Sequence, residues 1–110
     1  MKLAWAFALV LVGTLPPTAF ASDLELLLGR RAPQVDGSVK QFYSVKNNGH
    51  QMMDASYECG FVKGGDVVDA TGGVISELKP GQTAYGWTLS SGAFDRADCR
   101  LYSVRPTEPE

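Results

Sequence analysis

Met53, Ala55, Tyr57, Cys59 and Phe61 alternate with Asp54, Ser56 and Glu58. A β-strand sends successive side chains to opposite faces, so this period of two puts one apolar face in a core and one polar face in water. The same period returns where Ala97, Cys99 and Leu101 alternate with Asp98 and Arg100. Thr83, Tyr85, Trp87 and Leu89 alternate with Gln82, Ala84, Gly86 and Thr88, and Val39, Gln41, Tyr43 and Val45 add a less regular fourth run. The larger residues of each run are read as the core face, which places Tyr57, Tyr85 and Trp87 inside. Tyr43 and Tyr102 fit either face. No sustained period of 3.6 residues competes. The leucines at Leu24, Leu26, Leu27 and Leu28 lie in a segment, 22–37, read as extended or as an edge strand.

The punctuation agrees with short antiparallel strands. Asn48-Gly49 favours the type I′ turn of a hairpin and is expected to join the strands on either side of it. Gly64-Gly65 reads as a second hairpin, because glycine takes positive φ at no steric cost. Pro80-Gly81 fits a type II turn. Thr71-Gly72-Gly73 and Ser90-Ser91-Gly92 read as further connections. Turns at this spacing predict an all-β, immunoglobulin-like antiparallel sandwich over 38–104, followed by a proline-rich, acidic, disordered tail over 105–110.

Cys59 and Cys99 are the 2 cysteines of the chain. An even count in an exported protein implies a disulfide, and this pair allows one intramolecular connectivity. Both cysteines fall on inward-facing positions of separate strands. They are therefore expected to bond between strands, across the two layers and beside Trp87. Their wide spacing excludes a CxxC redox motif.

The exported compartment is read from residues 1–21. Lys2 is followed by an uncharged apolar run, then by Pro16-Pro17 and the small residues of Ala19-Phe20-Ala21. That order is a secretory signal peptide, with cleavage expected between Ala21 and Ser22. The apolar run is too short to cross a bilayer, and no second one follows, so no membrane span is expected after cleavage. The expected location is the periplasm or the extracellular space. Removing Lys2 from the 10 basic residues leaves 9 against 12 acidic ones, a net charge near −3. The charges are scattered, and without a basic stripe nucleic-acid binding has no electrostatic support.

The stretches Val45-Lys46-Asn47-Asn48, Tyr57-Glu58-Cys59-Gly60-Phe61-Val62, Leu78-Lys79-Pro80-Gly81-Gln82-Thr83 and Asp98-Cys99-Arg100-Leu101 resemble FxLyD-like and related immunoglobulin-like domains of exported bacterial proteins. The resemblance spans Val39 to Val104, and its most specific element is the Leu-x-Pro-Gly-x-Thr turn. The family name implies an aspartate three positions after the phenylalanine; Gly64 stands there, and Asp66 is the nearest aspartate. The resemblance implies a small sandwich module of no established catalytic activity and carries over no functional residue.

Chemistry-bearing residues are sparse. His50, the 1 histidine, lies in the predicted Asn47–His50 turn with no nucleophile or orienting carboxylate marked out beside it. Imidazole and thioether groups suit Cu(I), which makes His50 and Met52 the only metal candidates, with Met53 facing the core. Asp66 with Asp69, and Asp95 with Asp98, lack calcium-loop spacing and read as solvated turn and strand-edge residues. No phosphate-binding glycine loop is present, and no cofactor is implied. The sequence therefore points to a non-catalytic binding or structural module that contacts a protein or envelope component through its loops, an edge strand or Leu24–Leu28. A copper-handling protein or small enzyme centred on His50 and Met52 is the alternative.

Overall fold

The computed structural model describes residues 23–108. The expected leader, residues 1–21, and the expected Ala21–Ser22 cleavage junction lie outside them. Six strands follow in order: β1 (Leu24–Pro33), β2 (Val39–Asn47), β3 (Met53–Lys63), β4 (Asp66–Leu78), β5 (Thr83–Ser90) and β6 (Arg96–Pro106). They form two antiparallel sheets of three strands, ordered β1-β2-β5 and β4-β3-β6. In immunoglobulin lettering this is A-B-E against C′-C-F, with no seventh strand beyond β6 among the described residues.

The core lies between the sheets. Leu24, Val39 and Val45 come from the first, and Met53, Ala55, Tyr57, Cys59, Phe61, Ile75 and Leu78 from the second. Phe94, in the β5–β6 connection, closes one end with its ring 4.7 Å from that of Phe61. The Arg31 guanidinium lies over Phe94 and donates to the Phe94 and Asp95 carbonyls, tying β1 to the same connection. The β3 alternation is thus the one the sequence predicts, with every second residue from Met53 to Phe61 buried.

β5 is inverted. Tyr85 is 83% exposed and Trp87 49%, whereas Thr88 and Ser90 are buried. The expectation that Tyr85 and Trp87 belong to the core is therefore corrected; of the three aromatics assigned there, only Tyr57 is buried. The cause lies on the neighbouring strand. Tyr43 stands opposite Gly86 and stacks against Tyr57 with ring centroids 4.8 Å apart. A Cβ on Gly86 would lie 2.6 Å from the Tyr43 hydroxyl, so Tyr43 already fills the volume beneath β5. Tyr57 does the same across the sheet, since a Cβ on Gly73 would lie 2.7 Å from its ring.

The disulfide joins Cys59 and Cys99 as directly opposed residues of β3 and β6. It is inter-strand, as expected, but it lies within one sheet rather than across the two layers, and Trp87 faces away from the core. Two connections also differ from expectation. Asn48-Gly49 joins strands of different sheets and makes no hairpin. The buried Asn47 side chain organises it: its amide donates to the Gln51 and Leu78 carbonyls, and its oxygen accepts from the Gly49 N–H. That local side-chain bonding replaces the primed turn. Thr71-Gly72-Gly73 is the interior of β4, where the missing side chains admit Tyr57.

The other turns match their chemistry. Gly64 and Gly65 both take positive φ (61° and 87°) in the β3–β4 hairpin. Gly81 takes φ 81°, and the Gln82 N–H bonds the Lys79 carbonyl at 2.9 Å, closing the type II turn. The N-terminal segment is an edge strand over Leu24–Pro33, bulged between Leu28 and Arg31. The buried Gln41 amide donates to the Gly29 carbonyl at that bulge. The tail is ordered further than expected. β6 runs to Pro106, the Thr107 N–H bonds the Met52 carbonyl, and the Thr107 hydroxyl donates to Asp54.

Candidate binding face

The inversion of β5 gives the first sheet an apolar outer face. Phe42 and Trp87 are directly opposed on β2 and β5, Tyr85 sits opposite Ser44, and Leu89 opposite Lys40. Leu27 extends the face onto β1, where it pairs with Ser44 and is exposed. A shallow hollow of about 220 Å³ lies among Phe42, Tyr43, Tyr85, Gly86 and Trp87. Soluble proteins scatter single exposed apolar residues, but a contiguous group of large aromatics marks an interaction site.

Two cations are set on this face. The Arg30 guanidinium lies 4.3 Å from the Phe42 ring centroid, and the Lys40 ammonium 4.3 Å from that of Trp87. Attraction to the ring quadrupole holds each head group in place without neutralising it. The ion pairs among the described residues are Arg96–Asp98 and Arg100–Glu58, so Arg30 and Lys40 remain free to meet an anion.

The outer face of the second sheet contrasts with this. A wider trough of about 670 Å³ runs over Gly60, Ala70 and Gly72, bordered by Glu58, Asp98, Arg100 and Tyr102. It exists because its floor carries no side chain larger than the Ala70 methyl. Its charges pair with one another through Arg100–Glu58 and Arg96–Asp98.

The residues singled out for chemistry are not brought together. His50 is exposed in the β2–β3 connection, Met52 is half-buried beside it, and Met53 is fully committed to the core. Among the described residues no cluster of three His, Cys, Asp or Glu side chains could hold a metal. The perturbed carboxylates serve the backbone. Asp54 is held below the usual carboxylate range by the Thr107 hydroxyl and the Glu77 N–H, and Asp69 by the N–H groups of Ser91 and Ala70. Asp36 is lowered by Ser38 in the β1–β2 turn. Tyr43 is shifted upward chiefly by burial, beside the Tyr57 phenol.

Sequence reasoning missed the aromatic face. The signal was present in the alternation of Tyr85, Trp87 and Leu89 with small residues, but its direction depends on Tyr43, a neighbour in space and not in sequence. No family model, curated protein or solved structure matches this chain.

Proposed function

We propose that this chain is an exported, non-catalytic binding module of the periplasm or extracellular space, stapled by Cys59–Cys99. Its docking surface is the outer face of β1-β2-β5. The observation that carries this reading is the pair Trp87 and Tyr85 turned to solvent beside a half-buried Phe42, with Arg30 and Lys40 mounted on the Phe42 and Trp87 rings. Aromatic anchors with arginine are the groups that dominate binding energy at protein interfaces. The partner, a protein or envelope component, would carry an apolar ridge flanked by acidic groups. The leader-like sequence of residues 1–21 and the disulfide support export, since disulfides persist in oxidising compartments. The order A-B-E against C′-C-F supports the immunoglobulin-like part of the resemblance, and FxLyD-like membership is proposed on the sequence motifs.

Site-specific photo-crosslinking in the intact envelope tests the reading. A photoreactive residue at Tyr85 is expected to form a discrete adduct, lost when Trp87→Ala and Lys40→Glu are combined. The same probe at Ser56, on the outer face of the second sheet, is expected to form none. Adducts from Ser56 with none from Tyr85 would overturn the assignment.

A further inference from the structure

The sheet β4-β3-β6 ends at β6, and nothing among the described residues pairs with the outer side of that strand. Which of its backbone groups are left over follows from the register. Cys59 and Cys99 are opposed with Cα atoms 4.0 Å apart. That separation fits the narrow, non-hydrogen-bonded pair of an antiparallel ladder (about 4.5 Å) and not the wide pair (about 5.5 Å). The other strands agree. The Val62 carbonyl accepts from the Asp95 N–H on the β6 side, and the Tyr57 carbonyl points at Gly72 of β4. Even-numbered residues of β3 therefore bond β6, and Arg96, Asp98, Arg100 and Tyr102 are the β6 residues that answer them. The N–H and C=O groups of Ala97, Cys99 and Leu101 point outward from the sheet edge. Their side chains face the core yet stay only half-buried, whereas their β3 counterparts Phe61, Cys59 and Tyr57 are buried.

We propose that this edge pairs antiparallel with the same edge of a second copy of the chain, about a two-fold axis at Cys99. The sequence of β6 is self-complementary in that register. Asp98 falls opposite Arg100 of the second copy, and Arg100 opposite its Asp98. Arg96 falls opposite Tyr102, a cation beside a ring. Ala97 falls opposite Leu101 on the core side, small against large. Ala97, Cys99 and Leu101 make the hydrogen-bonded pairs, which leaves Asp98 and Arg100 in the narrow pairs where side chains come closest. Adjacent registers are repelled. A shift one way sets Asp98 against Asp98 and Arg96 against Arg100. A shift the other way sets Arg100 against Arg100. Such an isologous contact closes after two copies and removes the exposed edge, which is otherwise a template for open-ended association. The two sheets become one of six strands, with charges alternating from Glu58 through Arg100 to Asp98 and Arg96 of the second copy. This surface is separate from the aromatic face, so either assignment can fail without the other.

Sedimentation of the oxidised chain over a concentration series tests the proposal. Wild type is expected to pass reversibly from one copy to two. Asp98→Arg and Arg100→Asp are each expected to weaken the pairing ~100-fold, because each sets two like-charge pairs in contact. Mixed in equal amounts, the two variants are expected to pair with each other, since position 98 of one then opposes position 100 of the other with opposite charge in both places. Wild type that stays single at every concentration would overturn the proposal. So would single variants that still pair, or folded variants that do not recombine. If a variant does not fold, backbone amide exchange on wild type decides. The amides of Ala97, Cys99 and Leu101 are expected to gain protection as concentration rises, while those of Asp98 and Arg100 are protected throughout. Absence of that gain refutes the pairing.

Discussion

The central strand of one sheet and an edge strand of the other follow opposite rules. β3 turns Met53, Ala55, Tyr57, Cys59 and Phe61 into the core and Asp54, Ser56 and Glu58 outward. β5 turns Ala84, Gly86, Thr88 and Ser90 inward and Tyr85, Trp87 and Leu89 outward. Both show a clean period of two, so alternation identifies each strand, but residue size identifies the core face only for β3. Beneath β5 the volume is filled from the side by Tyr43, which leaves the large residues of β5 free for another use.

Substitutions in the two rows separate these roles most sharply. Phe61 is fully buried, and Phe61→Ala is expected to cost ~3–5 kcal/mol in urea unfolding through lost burial and a residual cavity. Trp87→Ala, an equally drastic truncation at a 49% exposed site, is expected to cost under ~1 kcal/mol. Equal losses at the two sites would erase the distinction.

Reduction of Cys59–Cys99 comes next. The bond closes a loop with a sequence separation of 40, which in the chain-entropy model stabilises the fold by roughly 3.5–4 kcal/mol. A thermal melt in reductant is expected to show a correspondingly lower midpoint, and an unchanged midpoint would deny the staple its role. A smaller effect tests the reason for the inversion. Gly86→Ala forces a methyl into the Tyr43 hydroxyl and is expected to cost ~1–3 kcal/mol by overpacking. Combining it with Tyr43→Ala, which removes both the hydroxyl and the ring carbons that crowd that position, is expected to cost less than the sum of the two single changes. Strict additivity of the two changes in denaturant titrations would place Tyr43 elsewhere.

The smallest effect concerns the end of the second sheet. The Asp54 carboxylate is lowered in the folded state by Thr107 and Glu77. Its contribution is therefore present above its unfolded pKa of about 3.9 and is lost as pH falls through the lower folded value. Wild type is expected to lose stability below about pH 4, and Asp54→Asn to flatten that part of the profile. Identical acid limbs for the two proteins would contradict the assignment.

How much of this was legible follows the same division. β3 and the inward cysteines could be read because a central strand in a two-layer fold has one dry and one wet face, and the sequence shows both. The Gly64-Gly65 and Pro80-Gly81 turns could be read because their backbone geometry is local. Asn48-Gly49 misled because turn chemistry does not say which sheet the next strand joins; Asn47, bonded to Leu78 thirty-one positions away, decides it. Thr71-Gly72-Gly73 misled because those glycines answer to Tyr57 across the ladder rather than to a bend. The tail misled because proline and acidic residues spoke for disorder, while the pairing of β6 with β3 runs on to Pro106. The aromatic face was hidden for the reason that made β5 ambiguous: its direction is set by a side chain from another strand.

The environment of Trp87 tests the inversion most directly. In a Trp5→Phe chain, Trp87 is the sole indole, and its fluorescence can be read before and after unfolding together with quenching by iodide. The folded protein is expected to emit close to the wavelength of the unfolded chain and to be quenched strongly, with Lys40 drawing the anion to the ring. A folded protein whose emission is blue-shifted and resists iodide until it unfolds would return Trp87 to the core and contradict the account.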